Sequence, residues 1–199
     1  MGFIPAATQR SFLALLLLVP QPTGGGLDKV FAEGRSWEQF LNATQRQREL
    51  WLQTDARVSI APEIVERVER AGRGLRLVVV AEDWCPDSVY TVPYVARLAA
   101  LARIPFRVVD RMAGEPLMRA HRTRDGRTAT PTIVLLRDGM DAGAWVERPA
   151  VLQELFRSIG DSPENATRFA QRGAWYESDN GATALSEIVT LIEQTVASR

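Results

Sequence analysis

The sequence predicts an α/β domain, a mixed central sheet flanked by helices, with N- and C-terminal helical extensions. Three observations predict it. Short apolar, β-branched runs recur at "LRLVVVAE" (75–82), "IPFRVVD" (104–110) and "TIVLL" (132–136), with helical patterns between them. A further run, "GAWVE" (143–147), follows across the turn "RDGMD" and closes the series with a hairpin. Before residue 75 and after residue 149, apolar residues fall at helical spacing.

Residues 1–26 read as a leader or a disordered extension. Arg10 precedes the apolar run 12–19, and "PQPTGGG" follows it. The run is too short to span a bilayer, and no small-residue cleavage site follows. A signal peptide, a disordered tail and a start codon assigned too far upstream all stay open. Residues 27–74 form a predicted helical extension. Val30, Phe31, Trp37, Phe40, Leu41, Leu50 and Trp51 recur at helical spacing, with Ser36 placed as an N-cap and Glu38 in the first turn. A second helix runs over 62–71, with Pro62 in its first turn, Ile64, Val65 and Val68 on one face, and Gly72 and Gly74 ending it.

Residues 75–149 are the predicted core. The continuous apolar run at 75–82 is that of a strand buried on both faces. Pro86 opens a helix through about Arg103, 104–110 returns as a strand, and 114–122 is a short helix. The order β-α-β-α-β-β places helices on both faces of one sheet. Residues 150–199 are predicted to pack on this core through helices at 150–159 and about 182–197, with "GAWYESDNG" (173–181) as their connection.

Composition narrows the function. The 199 residues are 46% hydrophobic and 24% charged, which is globular, and the 24 basic and 24 acidic residues form no block of like sign. Neither a nucleic-acid partner nor an integral membrane span is expected. One cysteine excludes an intrachain disulfide, and one histidine leaves no Cys/His cluster, so neither metal nor cofactor is expected. The cytoplasm is the expected compartment unless residues 1–26 direct export; the sequence leaves the oligomeric state open.

The chemistry concentrates in "AEDWCPDSVY" (81–90), which holds the single cysteine. Cys85 follows a buried strand and precedes Pro86 at a helix start, where free N–H groups and the helix dipole favour the reactive thiolate. The carboxylates of Asp87, Asp83 and Glu82 work the other way. Ser88 lies three residues on, on the same side of the first turn, and its hydroxyl can donate a hydrogen bond to the thiolate. It cannot act as the second sulfur that resolves a mixed disulfide.

The strand order, "DWCPDS" at the first strand-to-helix junction and "ATPT" before the next-to-last strand together resemble the thioredoxin fold. Pro93 falls eight residues after Cys85, where thioredoxins carry a helix-kinking proline, and Pro131 falls where the family places a cis-proline facing the sulfur. The chain is similar to a bacterial branch of thioredoxin family proteins with an "EDWCxDC"-type site, through "EDWC", through Trp145, Arg148 and Pro149 in "W-x-x-R-P", and through "WYE…G" at Trp175, Tyr176, Glu177 and Gly181. The resemblance covers about residues 28–197. It implies that Cys85 and Ser88 are the catalytic pair of positions, and that Trp84, Pro86, Asp87, Thr130 and Pro131 face the substrate, the Thr130 backbone pairing with an extended segment. Two departures stand out. Ser88 replaces the second cysteine, which counts against dithiol activity, and Val79 stands where thioredoxin keeps a buried acid, so that proton-handling role is not carried over.

The expected function is monothiol thiol–disulfide exchange through Cys85, with protein thiols or disulfides or a low-molecular-weight thiol as partners. The alternative is a redox-inactive binding or chaperone-like module. Peroxide sensing through a sulfenic acid and glutathione-dependent cluster carriage are the remaining readings. His121 is expected at the surface, Met112, Met118 and Met140 in packing, and Trp145, Arg148, Trp175 and Tyr176 as anchors for the C-terminal segment.

Overall fold

The computed structural model of the chain describes residues 24–159 and 165–197. Its helical extension comprises α1 (Gly24–Glu33), α2 (Trp37–Ala43), α3 (Arg48–Arg57) and α4 (Pro62–Ala71). The core follows as β1 (Leu75–Val80), α5 (Pro86–Leu101), β2 (Phe106–Val109), α6 (Glu115–Ala120), β3 (Thr132–Arg137) and β4 (Met140–Val146). The chain continues through α7 (Ala150–Ile159), α8 (Asn165–Asp179) and α9 (Ala182–Ala197). The leader expectation falls largely on residues 1–23, outside the described residues, and Gly24, Gly25 and Gly26 open α1.

The four strands lie in the order β2-β1-β3-β4, with β1 and β2 parallel and both remaining pairings antiparallel. Alternation along the strands divides the core in two. Leu75, Leu77, Val79, Ile133 and Leu135 belong to the larger cluster, with residues of α5 and α9 and Phe40, Trp51 and Val68 of the extension. Val78, Val80, Val134 and Leu136 point to the other face and pack with Leu27 of α1 and Leu117 and Met118 of α6. Helices thus cover both faces, as the element order predicts.

The register sets the position of the site. Val80 pairs with Val109 of β2 and with Thr132 of β3, and Thr132 pairs with Val146 of β4. The ends of β1, β2 and β4 and the start of β3 therefore share one end of the sheet.

Local sequence explains most of the boundaries. Ser36 forms a reciprocal capping box with Gln39, and Pro62 and Pro86 open α4 and α5 where a missing N–H loses nothing. The segment 173–181 differs from its reading as a connection: most of it is the second half of α8. That helix ends at Asn180 and Gly181, with φ of 49° and 73°.

Candidate functional site

The thiol-bearing turn is held from both sides. The Oδ2 atom of Asp83 accepts from the backbone N–H groups of Gln45 and Arg46 at 2.9 and 3.0 Å. The carbonyl of Asp83 accepts the Trp51 indole N–H at 2.9 Å. Glu82 accepts from the backbone N–H of Arg111 at 2.8 Å, which joins this turn to the one after β2. Two of the three carboxylates that oppose a thiolate in the sequence, Asp83 and Glu82, are thus engaged with main-chain donors.

Cys85 is the N-cap of α5, in extended conformation, and its carbonyl accepts from Val89 N–H at 3.1 Å. Its side chain makes no capping bond, so the first-turn N–H groups have no side-chain acceptor there. Only 6% of Cys85 is exposed, and its Sγ–H donates to the Thr130 carbonyl at 3.2 Å. The Thr130–Pro131 peptide bond is cis. Cys85, Thr130 and Pro131, 45 and more residues apart in sequence, meet at one end of the sheet. Trp84 beside them is 46% exposed and Pro86 half-buried.

Ser88 is fully buried, and its hydroxyl has no hydrogen-bond partner among the described residues. The Ser88 to Cys85 bond is therefore not made while the thiol donates to Thr130.

Asp87 is placed away from the rim. Its buried carboxylate accepts from the Tyr176 hydroxyl at 2.9 Å, from Arg148 Nη2 at 2.9 Å and from Arg172 Nη1 at 3.4 Å. Burial pushes the Asp87 carboxyl above its ordinary range, against the pull of Arg148, Arg172 and the Tyr176 hydroxyl. Burial likewise holds Tyr176 well above the usual phenol value, so it stays a donor. The Tyr176 ring stacks on Tyr90 of α5 at 4.9 Å between centroids, fastening α8 to the helix that Cys85 caps.

Arg148 continues the cluster outward. Its Nη2 also donates to Glu147 at 2.8 Å, and Glu147 accepts from Arg127 at 3.3 Å. Glu147 has a left-handed φ of 71°, and its N–H donates to the Pro131 carbonyl at 2.7 Å. Trp145 donates its indole N–H to Glu187 of α9 at 2.7 Å. Sequence reasoning named Trp145, Arg148 and Tyr176 as anchors but missed Glu147, Arg172 and Arg127, whose partners lie in distant segments.

Other expectations change. Met118 is buried, but Met112 and Met140 are exposed rather than packed. His121 is half-buried and pairs with Asp141 of β4. A cavity of about 320 Å³ lies on the β2 side of the turn, between Arg35, Phe40, Glu82, Asp83 and Asp110; Cys85 does not line it. Among the described residues no cluster of acidic, His or Cys side chains could hold a metal ion, and no helix is long and apolar enough to cross a membrane.

The same architecture occurs elsewhere. A crystal structure of a Pseudomonas aeruginosa protein of unknown function superposes with a TM-score of 0.64 at 19% identity, over 84% of this chain and 96% of that one. The crystal structure of an HIV epitope-scaffold gives 0.63 at 19% identity, over 84% and 97%. At that identity the likeness is one of fold. No curated protein matches the sequence. The family profile described as Thioredoxin matches residues 34–166, more than half of the chain, from before Trp51 to beyond Arg148 but short of Arg172 and Tyr176. With the fold and the profile in agreement, the chain belongs to the thioredoxin family.

Proposed function

We propose that the protein carries out monothiol thiol–disulfide exchange through Cys85. The observation that carries this reading is the approach of the Cys85 sulfur to the Thr130 carbonyl, at 3.2 Å, between the open N-terminus of α5 and the cis-proline loop. The thiolate attacks one sulfur of a disulfide R–S–S–R′; a Cys85–S–S–R bond forms, the R–S–S–R′ bond breaks, and R′ leaves as a thiolate. Ser88 offers no second sulfur. An external thiolate, a low-molecular-weight thiol or a second cysteine of the substrate, then attacks the R sulfur and releases Cys85 as thiolate. A reducing cytoplasm would supply such a thiol.

In this reading Trp84 and Pro86 form the rim, and Thr130 and Pro131 present backbone to the substrate. Ser88 is the one first-turn hydroxyl, and it is free to donate once Cys85 ionises. The near-complete burial of Cys85 favours a second reading, a binding module in which the sulfur no longer turns over. A cysteine peptide carried as its mixed disulfide with a chromophoric aryl thiol separates the two. Exchange predicts one equivalent of aryl thiol from the native protein and none from Cys85→Ala, with added glutathione then regenerating free Cys85. Release only after denaturation would instead establish the binding module.

A further inference from the structure

Three hydrogen bonds and three short stretches of main chain close a circuit around the thiol. Cys85 Sγ–H donates to the Thr130 carbonyl at 3.2 Å, and the chain passes through the cis bond to Pro131. The Pro131 carbonyl accepts the Glu147 N–H at 2.7 Å. One residue on, Arg148 donates to Asp87 at 2.9 Å, and Asp87 leads through Pro86 back to Cys85. The Glu147–Arg148 corner of the circuit is held by further contacts. The Arg148 guanidinium also bonds the Glu147 carboxylate at 2.8 Å and lies 4.6 Å from the centre of the Phe156 ring. The left-handed backbone of Glu147 is a conformation that a non-glycine residue keeps only where its surroundings over-determine it.

We propose that Arg148 is a positioning residue for Cys85, holding the cis-proline loop at a fixed separation from the sulfur by bridging Glu147 and Asp87. The consequence for chemistry rests on the exchange reading above. An extended substrate lies on Thr130, so the line of attack of the sulfur is set by how that loop sits against the start of α5. A misplacement of about 1 Å can cost about a hundredfold in rate. A small reagent that needs no docking has no such requirement.

The test compares two reactions of Cys85, release of aryl thiol from the peptide mixed disulfide and alkylation by iodoacetamide, together with hydrogen exchange at the Glu147 amide. Arg148→Met should lower the ratio of peptide exchange to alkylation by about tenfold or more and speed exchange of the Glu147 amide. Arg148→Lys should recover most of the ratio. The double variant Asp87→Asn/Arg148→Met removes both members of the Asp87–Arg148 pair, so it keeps the question answerable if Arg148→Met does not fold, and it should show the same low ratio. Tyr176→Phe removes another bond to the same carboxylate outside the circuit and should keep the ratio within about twofold. Wild-type ratio and Glu147 protection in Arg148→Met, or in the double variant where Arg148→Met does not fold, would overturn the proposal, as would Tyr176→Phe lowering the ratio equally. If the wild type releases no aryl thiol, the exchange reading fails by itself. The Glu147 amide then still decides the circuit: faster exchange in Arg148→Met supports it, and unchanged exchange sinks it.

Discussion

The indole N–H of Trp51 donates to the carbonyl of Asp83 at 2.9 Å, which ties the helical extension to the residue two before the thiol. Trp51 is fully buried, in edge-to-face contact with Phe40. Its ring fills the core while its one polar atom bonds the thiol-bearing turn. Trp51→Phe keeps most of the burial and leaves the carbonyl without that donor, so a loss of about 1–3 kcal/mol is expected. Urea denaturation with an unchanged m-value measures it; a loss under half a kcal/mol would mean that water replaces the bond.

Asp87 gives the folded protein a pH dependence of definite sign. Its native carboxyl is raised by burial, so the native state binds the proton more tightly than the unfolded chain. The resulting stability is complete below the ordinary carboxyl value, about 3.9, and is lost as pH rises through the raised native value. The margin of wild type over Asp87→Asn should therefore shrink from pH 4 upward in paired denaturation curves. Carboxyls moved the other way, such as Asp125, held at about 2 by Arg127 and Thr123, are common to both proteins and cancel. A margin that grows with pH would show that the pull of the two guanidinium groups outweighs burial.

What could be read in advance follows from how local each signal is. β1, α4 and α5 carry their own evidence in a continuous apolar run and in prolines at helix starts. Cys85 was legible at a helix start because a buried strand precedes it and Pro86 follows it, and the cis form of Pro131 was legible only through the resemblance to the thioredoxin fold. The company of Asp87 was not: Arg148 and Tyr176 lie 61 and 89 residues further along the chain, and no local pattern links them. Next to the thiol, Asp87 reads as a rim residue; only the packing of α8 shows its carboxylate turned inward. α8 itself was hidden because, among the described side chains of residues 170–179, only Arg172 and Tyr176 are buried, and they form no apolar stripe there. The exposure of Met112 and Met140 was missed because residue type was read as environment.

Gly181 marks where α8 turns into α9. Its φ is 73°, and a Cβ there would come within 2.5 Å of the Tyr94 ring. Left-handed backbone and close approach both require glycine. Gly181→Ala should cost about 1–3 kcal/mol by overpacking alone, and should loosen the docking of α8 on α5. Thermal melting, with hydrogen exchange of the α8 amides, reports both effects; a variant as stable as wild type would show that Tyr94 can move aside.

Ser88 separates stability from chemistry. Its hydroxyl is fully buried with no partner among the described residues, a condition that costs about 1–3 kcal/mol relative to an apolar group of the same shape. Ser88→Ala should therefore match or exceed the wild type in stability, by about 1 kcal/mol. If the hydroxyl turns to the sulfur when Cys85 ionises, the same substitution should slow aryl-thiol release severalfold, because a donor to the thiolate has gone. Ser88→Cys places a sulfur three residues from Cys85 and should form the 85–88 disulfide on oxidation and gain reductase activity with dithiothreitol as reductant. A Ser88→Ala variant that is more stable and exchanges as fast as wild type would confine Ser88 to packing. A Ser88→Cys variant that forms the disulfide but reduces nothing would place the loss of turnover in the surrounding site rather than in the missing sulfur.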